Sequence, residues 1–220
     1  MQIAIYVYDR LTALDAIGPY EVLSRLPETE LVFVGERTGP VRTDTGRLAL
    51  VADAAREEVT APDVVLVPGG PGQTDLMDDA GLSEWLRAVD ATSSWTTSVC
   101  TGSLLLGAAG LLEGRRATSH WLALERLREL GAEPVAERVV EDGKVMTAAG
   151  VSAGIDMALT LAARLSGQPL LAQGIQLGIE YDPQPPFDTG SPARAPPELV
   201  ELLRANSRFV LEGEGSAPAG

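Results

Sequence analysis

The sequence predicts an α/β fold in which a mostly parallel sheet lies between two layers of helices. Three observations carry that expectation. Residues 3–8 (IAIYVY), 30–35 (ELVFVG) and 63–67 (DVVLV) are short, apolar, largely β-branched runs without strict alternation, the mark of strands buried on both faces. Stretches of helical spacing separate those runs, as a strand-helix-strand chain requires. Three strands run through short turns containing Gly69-Gly70, Gly102 and Gly150 straight into helical residues. The 220 residues suffice for one domain with a sizeable core, placed at 1–212, with a flexible tail at 213–220.

After the first strand, Pro19, Val22, Leu23 and Leu26 have helical spacing. Pro19 is expected in the first turn, where its missing N–H costs nothing. Asp15 then stands at or just before that turn, where one reading is a helix cap. Residues 41–51 hold Asp44-Thr45-Gly46 between two extended pieces and predict a hairpin excursion. The central strand 63–67 leads into Pro68-Gly69-Gly70-Pro71-Gly72, which lacks the spacing of a phosphate loop. It reads as an oxyanion or anion nest, with a plain turn as the alternative. An amphipathic helix at 76–90 precedes the strand 95–99, favoured by Thr96, Thr97 and Val99, and the Leu/Ala run 104–109 favours a helix.

Residues 117–118 form a short extended piece, and His120, the chain's one histidine, opens a predicted helix at 121–131. Asp142-Gly143 joins strands at 135–141 and 144–148 in a hairpin. Helices are expected at 155–165, 170–179 and 198–211, while the proline-rich 183–197 must be ordered by docking.

The candidate site follows from this order. Cys100, the only cysteine, sits on a strand-to-helix turn of about two residues, the geometry hydrolases use to present a nucleophile. The N–H groups and dipole of the following helix are expected to favour its thiolate. Iodoacetamide should then label it faster than free cysteine at about pH 6.5. A buried structural cysteine is the competing reading. Ligands of open α/β sheets sit outside the carboxyl ends of the strands. Asp15, Gly69-Gly70, Cys100-Thr101, His120 and Gly150-Val151 each follow a strand, so all belong at one edge. Thr101 offers its backbone N–H, and His120 is either packed under Trp121 or the third group of a triad.

Composition narrows the function classes. A formal charge of −14 and a pI near 4.4 argue against nucleic acid and anionic membranes as partners. One cysteine forbids an internal disulfide and a cysteine-rich metal site. No apolar run approaches the roughly 20 residues of a membrane span. The opening MQIAIYV reads as a strand and not as a leader, so a cytoplasmic location is expected.

Together these motifs resemble the ThiJ/PfpI superfamily, a relative of class I glutamine amidotransferases. The resemblance rests on Cys100-Thr101-Gly102, Pro68-Gly69-Gly70, Ala117-Thr118-Ser119-His120-Trp121 and the run from Ala149 to Asp156. Two further stretches, Leu14 to Val22 and Glu180 to Phe187, are similar to its isonitrile-hydrating branch, and the likeness spans about residues 3–192. It implies a flavodoxin-like three-layer sandwich, a homodimer, a nucleophile at Cys100 and an acid at Asp15, with Glu21 as a second acidic candidate. The implied reaction is cofactor-free and metal-free hydration of a small-molecule isonitrile to an N-substituted formamide, with Gly69, Gly70, Thr101, Gly150 and Val151 around the substrate. The alternative is a cysteine-based stress sensor or small-molecule-binding protein without turnover. A Cys-His neighbour pair is missing, which departs from the peptidase-like members.

Overall fold

The apolar runs become the centre of a seven-stranded sheet. A computed structural model describes residues 1–206, so the tail expected at 213–220 and the end of the helix predicted to residue 211 lie outside the described residues. The strands in chain order are Gln2–Tyr6 (β1), Glu30–Gly35 (β2), Gly39–Arg42 (β3), Ala49–Ala52 (β4), Ala54–Ala55 (β5), Val64–Val67 (β6), Trp95–Val99 (β7), Arg116–Ala117 (β8), Glu133–Pro134 (β9), Val139–Asp142 (β10) and Val145–Ala148 (β11). The main sheet runs β10-β11-β7-β6-β1-β2-β5 and is parallel except for the β10–β11 hairpin. β3 and β4 pair antiparallel as the expected excursion, and β8 and β9 form a small parallel pair.

β6 is buried at all four positions and β1 from Ile3 to Tyr6, as two covered faces require. β7 and β11 are also fully covered from Thr96 to Val99 and from Val145 to Ala148, although both carry hydroxyls. The threonines are satisfied there: Thr97 Oγ1 donates to the Val65 carbonyl at 3.0 Å, and Thr147 Oγ1 accepts the Thr118 N–H at 2.9 Å, whereas Ser98 Oγ is buried without a partner.

Eight helices flank the sheet among the described residues: Ala13–Leu23 (α1), Gln73–Leu76 (α2), Ala80–Thr92 (α3), Gly102–Ala108 (α4), Arg126–Glu129 (α5), Ala153–Ser166 (α6), Pro169–Gly178 (α7) and Pro197–Ala205 (α8). Seven of them fall into two packed groups, with α1 on α6 and α6 on α7, and α4 against α2, α3 and α5. Strand order reverses at β1, whose neighbours β2 and β6 lie on opposite sides. The carboxyl ends of β1 and β6 thus frame the crevice where such sheets bind ligands.

Four sequence expectations need correction. Pro19 is not in the first turn of α1 but near its middle. Tight packing overrides the lost hydrogen bond, since a Cβ on Gly18 would sit 3.0 Å from Ile155 Cγ1 and one on Gly154 would sit 3.2 Å from Pro19 Cγ. The helix read at 76–90 is broken into α2 and α3, because Asp79 caps α3 by accepting the Leu82 N–H at 3.0 Å. The helix read at 121–131 is mostly successive tight turns with i→i+3 bonds, such as Ala123 N to His120 O and Arg126 N to Ala123 O, leaving only α5. The strand read at 135–141 is confined to β10. In the proline-rich stretch no helix or strand forms, and Phe187 stays 75% exposed. Its later part, Thr189 to Ala195, lies with α8 against Trp121.

Candidate active site

The turn between β7 and α4 holds Cys100 in the left-handed region, with φ +58°. A non-glycine residue there is strained and persists only when its surroundings fix it. The fixing bonds are present: the Cys100 N–H donates to the carbonyls of both Ala148 and Ala149 at 3.0 Å, and its own carbonyl accepts from Ser103 Oγ and Ser119 Oγ at 3.1 Å. The side chain is thereby aimed at α1.

Asp15 waits there. It lies in the first turn of α1, fully buried, and it does not cap its own helix. Its Oδ2 instead accepts the Gly69 N–H across the sheet edge at 2.9 Å, while Oδ1 is buried without a hydrogen-bond partner of good geometry. Thr12 N–H returns the contact by donating to the Gly69 carbonyl at 2.9 Å. No side chain fits at Gly69, because a Cβ would stand 2.5 Å from the Thr101 nitrogen and 2.9 Å from Cys100 Cβ. That close approach locks the β6 turn, Asp15 and the cysteine turn into one unit.

Burial dominates the electrostatics. It pushes the Asp15 carboxyl up to about 7, against the Gly69 N–H and the Cys100 thiol, which favour its charge, and with a smaller push from Asp44. Burial also pushes the Cys100 thiol well above its ordinary value, and the Asp15 charge adds to it. Opposing both, the backbone N–H groups of Thr101 and Val151 favour the charged sulphur. The expected depression of the thiol by the α4 N-terminus is therefore corrected: desolvation and the neighbouring carboxylate outweigh a seven-residue helix. Cys100 and Asp15 form a coupled pair that shares protons. With the sulphur at zero exposure, iodoacetamide should label the folded protein more slowly than free cysteine at about pH 6.5, and denaturation should restore the rate. Faster labelling of the folded chain would contradict this burial.

Of the residues expected at the edge, Asp15, Gly69, Cys100, Thr101 and Val151 converge. Gly70 does not offer a free donor, because its N–H is taken by Thr101 Oγ1 at 3.0 Å. The Gly69-Gly70 turn thus positions Asp15 and Thr101, which corrects its reading as an open nest. Gly150 packs against the His120 ring, where its Cβ would meet Cδ2 at 2.7 Å. His120 packs beside Trp121, and its Nδ1 accepts the Leu122 N–H at 3.3 Å. Glu21 lies on the exposed face of α1, paired with Arg25 at 2.9 Å, and is removed from the site.

Four neighbours were missed. Tyr8 is buried beside the pair, its hydroxyl donating to the Pro68 carbonyl at 3.0 Å and kept neutral by burial and the charges of Asp15 and Cys100. It follows β1 at the carboxyl edge, the same signal that located Asp15. Ser119 stands one residue from His120 in the same motif. Thr12 and Asp44 meet through Thr12 Oγ1 and Asp44 Oδ2 at 3.3 Å, a contact made by the hairpin folding back on Leu11, with no signature in the sequence. Tyr8 also lines a cavity of about 370 Å³ that opens between Tyr6, Glu36 and Asp79, with neither Cys100 nor Asp15 in its wall. Among the described residues no cluster of three or more His, Cys, Asp or Glu side chains is placed to hold a metal ion, and no helix is long and apolar enough to cross a membrane.

Comparison with known proteins gives the geometry its context. The model of the DJ-1/PfpI family matches residues 1–164. The isonitrile hydratase of Pseudomonas putida is 46% identical over 204 residues, covering 93% of this chain and 89% of that enzyme. The crystal structure of a ThiJ/PfpI family protein from Pseudomonas syringae superposes with a TM-score of 0.88 at 38% identity, covering 93% of this chain and 86% of that one. Drosophila melanogaster DJ-1beta, at 20% identity and a TM-score of 0.74, shares the fold over 83% of this chain and 98% of its own.

Proposed function

The chain belongs to the DJ-1/PfpI family, and on that premise we propose that it is an isonitrile hydratase, a hydro-lyase that converts an isonitrile and water to an N-substituted formamide. The observation that carries this reading is the buried Cys100–Asp15 pair: a nucleophile beside a carboxyl that holds its proton near neutral pH. Carbon protonation requires such an acid, and an exposed aspartate has already lost its proton there.

The reaction uses one proton on the pair. The sulphur attacks the terminal isonitrile carbon while Asp15 delivers its proton to that carbon, leaving a thioimidate on Cys100 and a carboxylate at Asp15. Asp15 then takes a proton from water as the oxygen adds to the carbon, and passes it to the nitrogen. When the carbon–sulphur bond breaks, the hydroxyl proton goes to Asp15 and the formamide leaves with the pair restored. The N–H groups of Thr101 and Val151 hold the charge on sulphur at the first and last steps. In this reading Thr101 takes the oxyanion-type role, and Val151 stands where Gly70 was expected.

Incubation with simple alkyl and aryl isonitriles, followed by mass detection of the formamide, tests the reading, and absence of product above the uncatalysed rate would overturn it. The proton count also sets a pH profile. Below about pH 7 the pair carries two protons and above it one, shared between carboxyl and thiol, so kcat/KM, which needs the one-proton pair, should rise through about pH 7. A profile flat from about pH 5 to 9 would separate the rate from this pair. A homodimer in the cytoplasm, where thiols stay reduced, completes the proposal. Leu170, Leu177 and Phe187 expose apolar surface suited to a second copy. Light scattering at micromolar concentration should give twice the chain mass, and a fully active monomer would refute the dimer.

A further inference from the structure

Val151 has φ +36°, an uncomfortable conformation for a β-branched residue, yet its N–H is one of the two backbone groups that favour charge on the Cys100 sulphur. A strained turn of this kind needs external restraint. One residue supplies it from both sides, with its backbone on one and its side chain on the other. The carbonyl of Arg138, immediately before β10, accepts the Ala149 N–H at 2.9 Å. Its guanidinium crosses to the start of α6, where Nε pairs with Asp156 and Nη2 donates to Ser152 Oγ at 3.4 Å. Ala149 and Ser152 bracket the Gly150-Val151 turn, and Ser152 is the residue from which α6 begins.

We propose that Arg138, braced by Asp156, is a positioning residue that holds the Gly150-Val151 turn so that the Val151 N–H stays on the Cys100 sulphur. Tyr181 lies against both members of the pair and belongs to the Glu180-to-Phe187 stretch, which the reaction itself leaves without a task. An N–H aimed at sulphur lowers the barrier wherever sulphur carries charge, and removing one such donor typically costs about a hundredfold in rate. Displacing the donor partly costs less.

The kinetic arm of the test rests on the hydratase reading, and the chemical arm does not. Arg138→Gln should lower kcat about tenfold with KM changed less than about twofold, and should raise the pH midpoint at which methyl methanethiosulfonate modifies Cys100. Arg138→Lys, which keeps the Asp156 pair, should recover most of both. Arg164→Gln removes another ion pair between α6 and β10, Arg164 Nε to Glu141 Oε2 at 3.2 Å, and should leave both readouts unchanged. A merely structural arginine would lower Tm and move neither kcat nor the midpoint. If Arg138→Gln fails to fold, Ser152→Ala gives the same readouts, with a smaller change in the same direction. Wild-type kcat and an unmoved midpoint in the folded variants, or an equal change in Arg164→Gln, would overturn the proposal. Should the wild type hydrate no isonitrile, the hydratase reading falls while the modification midpoint still decides the brace.

Discussion

Cys100→Ala is expected to lose at least about a thousandfold in isonitrile hydration and to form no covalent adduct with substrate. Cys100 is the only cysteine in the chain, so no second thiol is available to substitute for it. The variant should fold. Removing one sulphur from a buried site costs about 1 kcal/mol in lost packing, and alanine inherits the positive φ without adding bulk. Turnover assays with mass spectrometry of the intact chain check both parts. Residual turnover near wild type would mean that Asp15 hydrates the substrate without a covalent step. The same experiment separates the enzyme from a cysteine sensor. A sensor consumes its thiol once and needs no proton donor, and burying a carboxyl beside that thiol would then lower stability to no purpose.

The parallel sheet was legible because β1, β2 and β6 are continuous apolar runs, and a strand covered on both faces leaves no other pattern. The same logic placed Asp15 and Cys100 at one edge before any distance was known, since strand-to-helix turns of a parallel sheet share an end. What stayed hidden depends on contacts between segments distant in sequence. Pro19 looks like a helix start until Gly18 and Gly154 let α1 and α6 approach. Gly70 looks like a free donor until the Thr101 hydroxyl takes its N–H. The thiol looks activated by α4 until burial is counted, and burial is a property of the whole fold. Asp44 reaches the site only because a hairpin folds back across Leu11, and Arg138 only because β10 lies beside α6.

Asp15→Asn is expected to abolish turnover to a similar extent while making the protein more stable above neutral pH. The asparagine side chain can still accept the Gly69 N–H, so the turn and the sheet edge survive, but it has no acidic proton for the isonitrile carbon. The stability arm follows from the raised carboxyl. In the unfolded chain Asp15 loses its proton near the ordinary value of 3.8, and in the folded chain only at about 7. Unfolding therefore releases a proton between those values, and the wild type loses stability from this residue as pH rises through about 7. Neutral asparagine is exempt. Its advantage over wild type should grow by a few kcal/mol from about pH 4 to pH 8 and then level, less the cost of a buried amide where Oδ1 has no partner. Urea unfolding of both proteins across that range measures it, and mass spectrometry after substrate exposure shows whether the variant stalls before or after attack by sulphur. Wild-type turnover in Asp15→Asn would remove the acid from the mechanism, and a pH-independent stability difference would mean that the folded carboxyl is not held protonated.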